Sequence, residues 1–372
     1  MYVKTGLISM PNPTFKVSAM AALAVVVFAC GRMPEKAADN PFIAKAHGLT
    51  EDSNGPTFTT IDVPGATATV ARDISPTGDA IVGTCQDAVR QSHGFELRNG
   101  VYTTIDFPSD IATKVTLTET NAIVREDDVV GAYRSANKFH GYRLREDEFT
   151  KIDFPGATDT AAYGINSGGD ITGVYCDGSL PCGGSGNRGF LLSEGQFTLI
   201  DFPGAIRTST IKINRSGDIA GFYEDAQGLL HGFLLEGLGE EQRRHSGGMF
   251  TTFDFPGAIS TRAVGLNARG DIVGSYCNAP PCGASLVGWH AFLLSDGKFT
   301  PTDFPGAHWI RAVGISARGD IAGNYLDFGG KMHAFLISET PENPSGGSSQ
   351  VEVRNEDLID VTAEDVDLGT IL

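Results

Sequence analysis

Residues 261–306 read TRAVGLNARGDIVGSYCNAPPCGASLVGWHAFLLSDGKFTPTDFPG, and the placing of turn residues in this stretch sets the architecture. Thr261 to Asn267 predicts a first strand, closed by the turn Ala268-Arg269-Gly270. Asp271 to Tyr276 predicts a second, followed by a loop holding Cys277 and Cys282. His290 to Ser295 is the third. Asp296-Gly297 is a two-residue hairpin signal, and Lys298 to Phe304 is the fourth strand. Pro305-Gly306 ends it, because proline has no N–H with which to continue a ladder. Nothing in the repeated region carries a sustained 3.6-residue apolar period with caps, so no helix is expected there.

The same order of landmarks recurs along the chain. Asp-Phe-Pro-Gly-Ala stands intact from Asp153, Asp201, Asp254 and Asp303, and in degenerate form from Asp62 (Asp-Val-Pro-Gly-Ala) and Asp106 (Asp-Phe-Pro-Ser). The intervals are 44, 47, 48, 53 and 49 residues. After each anchor come a strand end, a tight turn and an acid: Asp79, Asp128, Asp170, Asp218, Asp271 and Asp320. A His follows at the start of the third strand, at His93, His140, His231, His290 and His333, with Arg188 in its place in the third copy.

Four short strands in roughly 47 residues is the size of a propeller blade. The repeat opens at Phe58 with a lone fourth strand, Phe58 to Asp62, and closes with a third strand, His333 to Ser338, that has no fourth. Six blades are complete only if the opening strand pairs with the closing three, which also removes the sheet edges of a linear array. The expectation is an all-β, six-bladed β-propeller over residues 58–340, its ring closed by the N-terminal strand.

Gly164-Ile165-Asn166, Gly265-Leu266-Asn267, His290-Ala291-Phe292 and His333-Ala334-Phe335 resemble the HAF repeats of probable extracellular bacterial proteins. The resemblance covers about residues 58–338. It implies an exported repeat protein and no established activity, so it brings no catalytic residue with it.

The segments outside the repeat read differently. Val17 to Ala29 is a near-continuous apolar run of 13 residues, short for a membrane span but suited to a signal-peptide core, preceded by Lys4 and Lys16. Residues 1–29 are expected to be that signal. Val27-Phe28-Ala29-Cys30-Gly31 resembles a lipobox, with Cys30 as the lipidated residue; ordinary cleavage after Ala29 is the other reading. Residues 30–57 read as a polar tether and residues 341–372 as an acidic flexible tail.

Composition removes further classes. Lys plus Arg number 28 and Asp plus Glu 45, a net charge of −17, which speaks against nucleic acid and against a basic patch docking on anionic lipid. The membrane would be met only through a lipid on Cys30. Hydrophobic residues make up 41%, with 22 Phe, so the many Gly and Pro mark turns in a folded chain rather than disorder.

No nucleophile elbow, phosphate loop or metalloprotease motif stands in context. An acid or a His repeated in every blade serves a need that every blade has, and an Asp before a Pro-Gly turn accepts backbone N–H bonds. No catalytic residue, metal or cofactor is expected. Cys176 with Cys182, and Cys277 with Cys282, fall in the loop between second and third strands of alternate blades, and an exported chain favours disulfides there. Cys85 aligns with Tyr175 and Tyr276 and is expected as a lone core thiol. In a meander, that loop shares a face with the Pro-Gly-Ala connection. Arg207, Trp289, His308 and Trp309 fall on this face and are the candidate binding residues. Surface Trp suits sugar stacking or a protein contact, and packing of the blade is the competing use. The function expected is a non-catalytic binding or scaffold module for an extracellular glycan or protein; the rival is a propeller hydrolase or lyase acting on extracellular polysaccharide. An axis filled by side chains would speak for the first, and a deep axial pocket of acids or His for the second.

Overall fold

A computed structural model describes residues 56–338 other than 110–113, 126–127, 179–185, 237–247, 281, 283–287, 305–306 and 308, together with two short strands, β1 (Leu7–Ile8) and β2 (Ala44–Lys45). The signal and lipidation assignments, the tail and His308 lie outside the described residues, apart from β1 and β2.

The remaining strands form six antiparallel four-stranded blades, blades 1 and 2 being joined by one parallel bridge, Ser92↔Leu117. Blade 1 holds β4 (Ala68–Ile74), β5 (Ala80–Gln86), β6 (Ser92–Arg98) and β7 (Val101–Ile105). Blade 2 holds β8 (Val115–Arg125), β9 (Asp128–Ser135), β10 (Lys138–Arg145) and β11 (Glu148–Ile152). Blade 3 holds β12 (Asp159–Ile165), β13 (Ile171–Cys176), β14 (Arg188–Ser193) and β15 (Gln196–Ile200). Blade 4 holds β16 (Arg207–Ile213), β17 (Ile219–Glu224), β18 (Leu230–Glu236) and β19 (Met249–Phe253). Blade 5 holds β20 (Ser260–Leu266), β21 (Ile272–Cys277), β22 (Trp289–Ser295) and β23 (Lys298–Pro301). Blade 6 joins β24 (Trp309–Ile315), β25 (Ile321–Leu326) and β26 (Met332–Ser338) to β3 (Thr57–Ile61), which pairs with β26 from Ala334↔Ile61 to Ser338↔Thr57.

The first strands of the blades touch in succession, β4, β8, β12, β16, β20 and β24, and β24 meets β4 again. The chain is therefore a six-bladed β-propeller with the first strand of each blade innermost. Asn324 ties blade 6 to blade 1: its Oδ1 accepts from Ala71 N at 2.6 Å and its Nδ2 donates to Ala71 O at 2.9 Å.

The recurring sequence boxes each have a local cause. In Phe154-Pro155-Gly156-Ala157 the Ala157 N–H donates to Phe154 O at 3.0 Å, and Gly156 has φ of 79°. That is a type II turn, which favours Pro at its second position and requires a positive φ at its third. The turn carries Phe154 onto Tyr175, rings stacked 3.7 Å apart, and the same stacking joins Phe202 to Tyr223 and Phe255 to Tyr276. Hairpins such as Glu194-Gly195 and Asp296-Gly297 have two successive positive φ angles, the primed geometry that follows strand twist. Gly173 sits opposite Ala161–Ala162, where a Cβ would come within 2.1 Å of Ala161 O and 2.8 Å of the Phe190 ring; this is why a glycine stands under the Phe of the third strand.

The fourth strand is shorter than expected. β23 ends at Pro301, not Phe304: Thr302 N still donates to Ala291 O, but the Ala291 N–H is taken by the Asp303 carboxylate, which also holds His290.

Candidate binding face and propeller axis

The repeated His and the repeated Asp are partners. His93 Nδ1 lies 2.8 Å from Asp106, His140 3.0 Å from Asp153, His231 2.8 Å from Asp254, His290 3.0 Å from Asp303 and His333 2.9 Å from Asp62. In blade 3 Arg188 donates to Asp201. Each pair fastens the start of a third strand to the connection leading into the next blade. His231 and His333 are also clamped from the other side, Nε2 lying 3.3 Å from Asp225 and 3.2 Å from Asp327. Two carboxylates on one ring require both nitrogens to carry protons. The repeat of acid and His is thus a set of blade latches.

These latches make stability depend on pH. Hydrogen bonds donated to Asp106, Asp303 and Asp62 raise His93, His290 and His333 above the usual 6.5 against the opposing effect of burial. Burial lowers His231, but Asp254 and Asp225 outweigh it, and its pKa too is raised. A raised His stabilises fully below its unfolded value and loses that contribution as pH climbs through the folded one. For Asp62 and Asp153 burial acts upward, but their partners, His333 and His140 foremost, hold them below the usual 3.8. Their contribution is present above 3.8 and is lost as pH falls through the depressed value. The melting temperature is expected to be highest between about pH 4 and 6.5 and to fall on the alkaline side. Scanning calorimetry across pH should show this alkaline limb flattened in a His93→Gln, His231→Gln, His333→Gln triple variant; an unchanged limb would remove the latches as its cause.

The candidate face is partly packed. Trp289 is only 4% exposed and lies beneath the Arg262 guanidinium at 4.4 Å. Arg207 is buried, its Nε 2.6 Å from Glu224 Oε2, over the Phe222 ring. Trp309 is half-buried and packs on the same apolar cluster as Trp289 and Cys282. The structure therefore brings Trp289, Trp309 and the Cys277–Cys282 loop to one place.

Cys277 and Cys282 form a disulfide with Cα atoms 5.7 Å apart. The expected Cys176–Cys182 bridge takes a correction: the buried Cys176 thiol donates to Asn187 Oδ1 at 3.2 Å, and Cys182 lies outside the described residues. Cys85 takes the opposite correction, being disulfide-bonded rather than a lone thiol; burial at a core position does not distinguish the two forms. Loop closure over so few residues stabilises by about 2 kcal/mol. Cys277→Ser with Cys282→Ser is expected to lower the melting temperature by about 4–8 °C; loss of folding in calorimetry would make this bridge essential to the blade.

The axis is filled by residues that the repeat reading did not single out. Where the inner strands of blades 3, 5 and 6 have Gly164, Gly265 and Gly314, blade 1 has Asp73 and blade 4 has Lys212. Blades 1 and 4 stand opposite one another, and Lys212 Nζ crosses to within 2.9 Å of Asp73 Oδ2. The same ammonium donates to Asn121 O of blade 2 at 3.1 Å and reaches Tyr163 O of blade 3 at 3.5 Å. Asp73 also accepts from Ile123 N at 3.3 Å. Burial pushes the Asp73 carboxyl up and the Lys212 amine down, and each is held back by the other's charge. Beside them Arg72 pairs with buried Glu119 at 3.2 Å. The sequence signal was available: a charge replacing a repeated Gly, opposite in sign, three blades apart.

Among the described residues no cluster of His, Cys, Asp and Glu is arranged to hold a metal ion. A separate open cleft of about 280 Å³ lies between blades 1 and 2, lined by Asp106, Phe107, Val115 and Leu117 among others.

No protein-family model matches the chain and no curated protein matches it. Among solved structures, the chain is similar to the six-bladed propeller lectin of Aleuria aurantia, described by its fucose recognition mode, at 12% identity over 74% of this chain and 98% of that one, TM-score 0.46. It is similar to the β-propeller domain of the Trilobed protease from Pyrococcus furiosus at 9% identity, over 80% and 93%, TM-score 0.36. It is also similar to YCF48 bound to D1 peptide at 9%, over 79% and 91%, TM-score 0.39. The six blades themselves rest on the strand pairing of this chain.

Proposed function

We propose that this chain is an exported, non-catalytic binding propeller of the HAF-repeat kind, held at the cell surface through Cys30. It takes a glycan or protein on the face formed by the Pro-Gly-Ala connections and the loops between second and third strands. The observation that supports this reading is the occupied axis. An axial hydrolase or lyase would need acids from several blades free to meet substrate, geometry first and pKa second. Here Asp73 is spent on Lys212 and the Ile123 amide, and Glu119 on Arg72, with all four side chains largely out of solvent. These groups join blades together. The test uses the full chain on a glycan array and in pull-downs of surface proteins, with a parallel assay for new reducing ends and unsaturated sugar products. Saturable binding without turnover bears the reading out, whereas turnover of any polysaccharide would move the chain to the hydrolase or lyase class.

A further inference from the structure

Lys212 and Asp73 are balanced, but the arginines nearer the candidate face are not. Aligned by their pairing with the second strands, the inner strands present Val70, Glu119, Ala161, Ser209, Arg262 and Arg311 at one level. Val70, Ala161 and Ser209 are small; Glu119 stands across the axis from Arg262 but is paired with Arg72, and Tyr163 of blade 3 lies beside Arg311. The two arginines, of adjacent blades 5 and 6, are each half-buried. The Nε of each is buried with no hydrogen-bond partner, and among the described residues no carboxylate forms an ion pair with either.

The nearby acids are already engaged: Glu224 with Arg207, Glu119 with Arg72 and Asp73 with Lys212. Arg72, Arg207, Lys212, Arg262 and Arg311 thus face only three carboxylates, leaving two cations uncompensated inside a chain of net charge −17. Burial, then repulsion from Arg311 and Arg207, holds Arg262 down to about 9 against the pull of Glu224, and burial with repulsion from Arg72 holds Arg311 to about 10. A buried charge without a partner is costly unless something else supplies the opposite charge. The Arg262 guanidinium lies over Trp289 at 4.4 Å, with the Phe222 ring 5.7 Å away, so it is held in place by two aromatic rings before any ligand arrives. A planar fork in that state matches a carboxylate or sulfate oxygen pair.

We propose that Arg262 and Arg311 form the anion seat of the binding face and that the ligand is an acidic saccharide. Its carboxylate or sulfate is held by the two guanidiniums, and its ring lies toward the half-buried Trp309 that opens β24. This rests on the binding reading above and narrows it from any glycan or protein to a charged sugar. Trp309 favours a saccharide over an acidic peptide, because a pyranose offers a flat C–H face to stack on an indole.

The test measures binding of tri-galacturonate, a sulfated galactose oligosaccharide, neutral galactotriose and poly-glutamate to the full chain by titration calorimetry, at low and high salt. Binding of the first or second probe is expected, and the two arms separate carboxylate from sulfate. Arg262→Met or Arg311→Met should each weaken it by about 10- to 100-fold, with the salt dependence reduced. Melting in the absence of ligand supplies a second readout: since each substitution removes an uncompensated cation, the melting temperature should hold or rise. A fall of many degrees would mean that the arginines are structural, and overturns the proposal. Neutral galactotriose bound equally by parent and variants, with no preference for the charged probes, overturns the anion seat and leaves the binding reading standing. Poly-glutamate bound in preference to both charged sugars overturns the saccharide assignment. No binding of any probe overturns the proposal, and the array and pull-downs then judge the broader reading on their own.

Discussion

Lys212→Met should lose about 3–5 kcal/mol of stability, a large share of the ~5–15 kcal/mol that holds an ordinary domain folded. The size follows from what remains. Asp73 stays buried, keeps the Ile123 and Ile74 amides, and no longer faces the Lys212 charge; removing one member of a buried ion pair costs far more than the pair contributes. The carbonyls of Asn121 and Tyr163 lose the ammonium as well. Because the four groups belong to four blades, the loss is shared round the ring. The companion variant Lys212→Met with Asp73→Leu removes both charges and should recover much of the stability, since apolar replacement of a whole buried pair is often neutral or better. Chemical denaturation of parent, single and double variants checks this. A single variant as stable as the parent, or a double variant worse than the single, would show that the axis is not held by this pair.

Removing residues 57–63 should abolish the folded domain or lower its melting temperature by well over 10 °C. The segment supplies the whole outer strand of blade 6. It buries Ile61 and Val63, sets Phe58 edge-on to Phe304 at 5.5 Å, and brings Asp62 to His333 across 271 positions of sequence. Two buried aliphatic side chains amount to roughly 3–6 kcal/mol, a large part of a typical total of about 5–15 kcal/mol. Deletion also bares the edge of β26 and invites pairing with a second chain. Calorimetry with size-exclusion chromatography reads both effects. A truncated chain that melts with the parent and stays monomeric would mean that blade 6 stands without its fourth strand.

How much of this could be read from residues alone differs between the frame and the site. The six anchors from Asp62 to Asp303, the hairpin at Asp296-Gly297 and the half-blades at either end led to the ring, because turn chemistry is local and a repeat prints it six times. The reading of the repeated acid and His as structural agrees with the latches, yet their being each other's partners was not apparent. Most of the pairs lie 13 residues apart, but His333 finds its acid at the far end of the domain. For Trp289 and Arg207 the sequence leaves binding and blade packing both open, and the structure packs them against Arg262 and Glu224, since a position at a strand start does not tell whether the neighbouring blade covers it.

Sequence by itself determined the blade. Each unit's turns, its Pro-Gly corner, its glycine under an aromatic ring and its polar strand ends are set by steric and hydrogen-bonding needs within about 47 residues. It also determined the number of blades, because an unpaired fourth strand at one end and a missing one at the other have a single common solution. Only the tertiary structure decided what the ring encloses. Asp73 and Lys212 become partners because closure sets blade 1 opposite blade 4, and Arg262 and Arg311 of successive blades become an uncompensated pair because the nearby acids are engaged elsewhere. Charge interactions across an axis depend on distance and burial, and neither quantity exists along the chain until the six sheets have closed on one another.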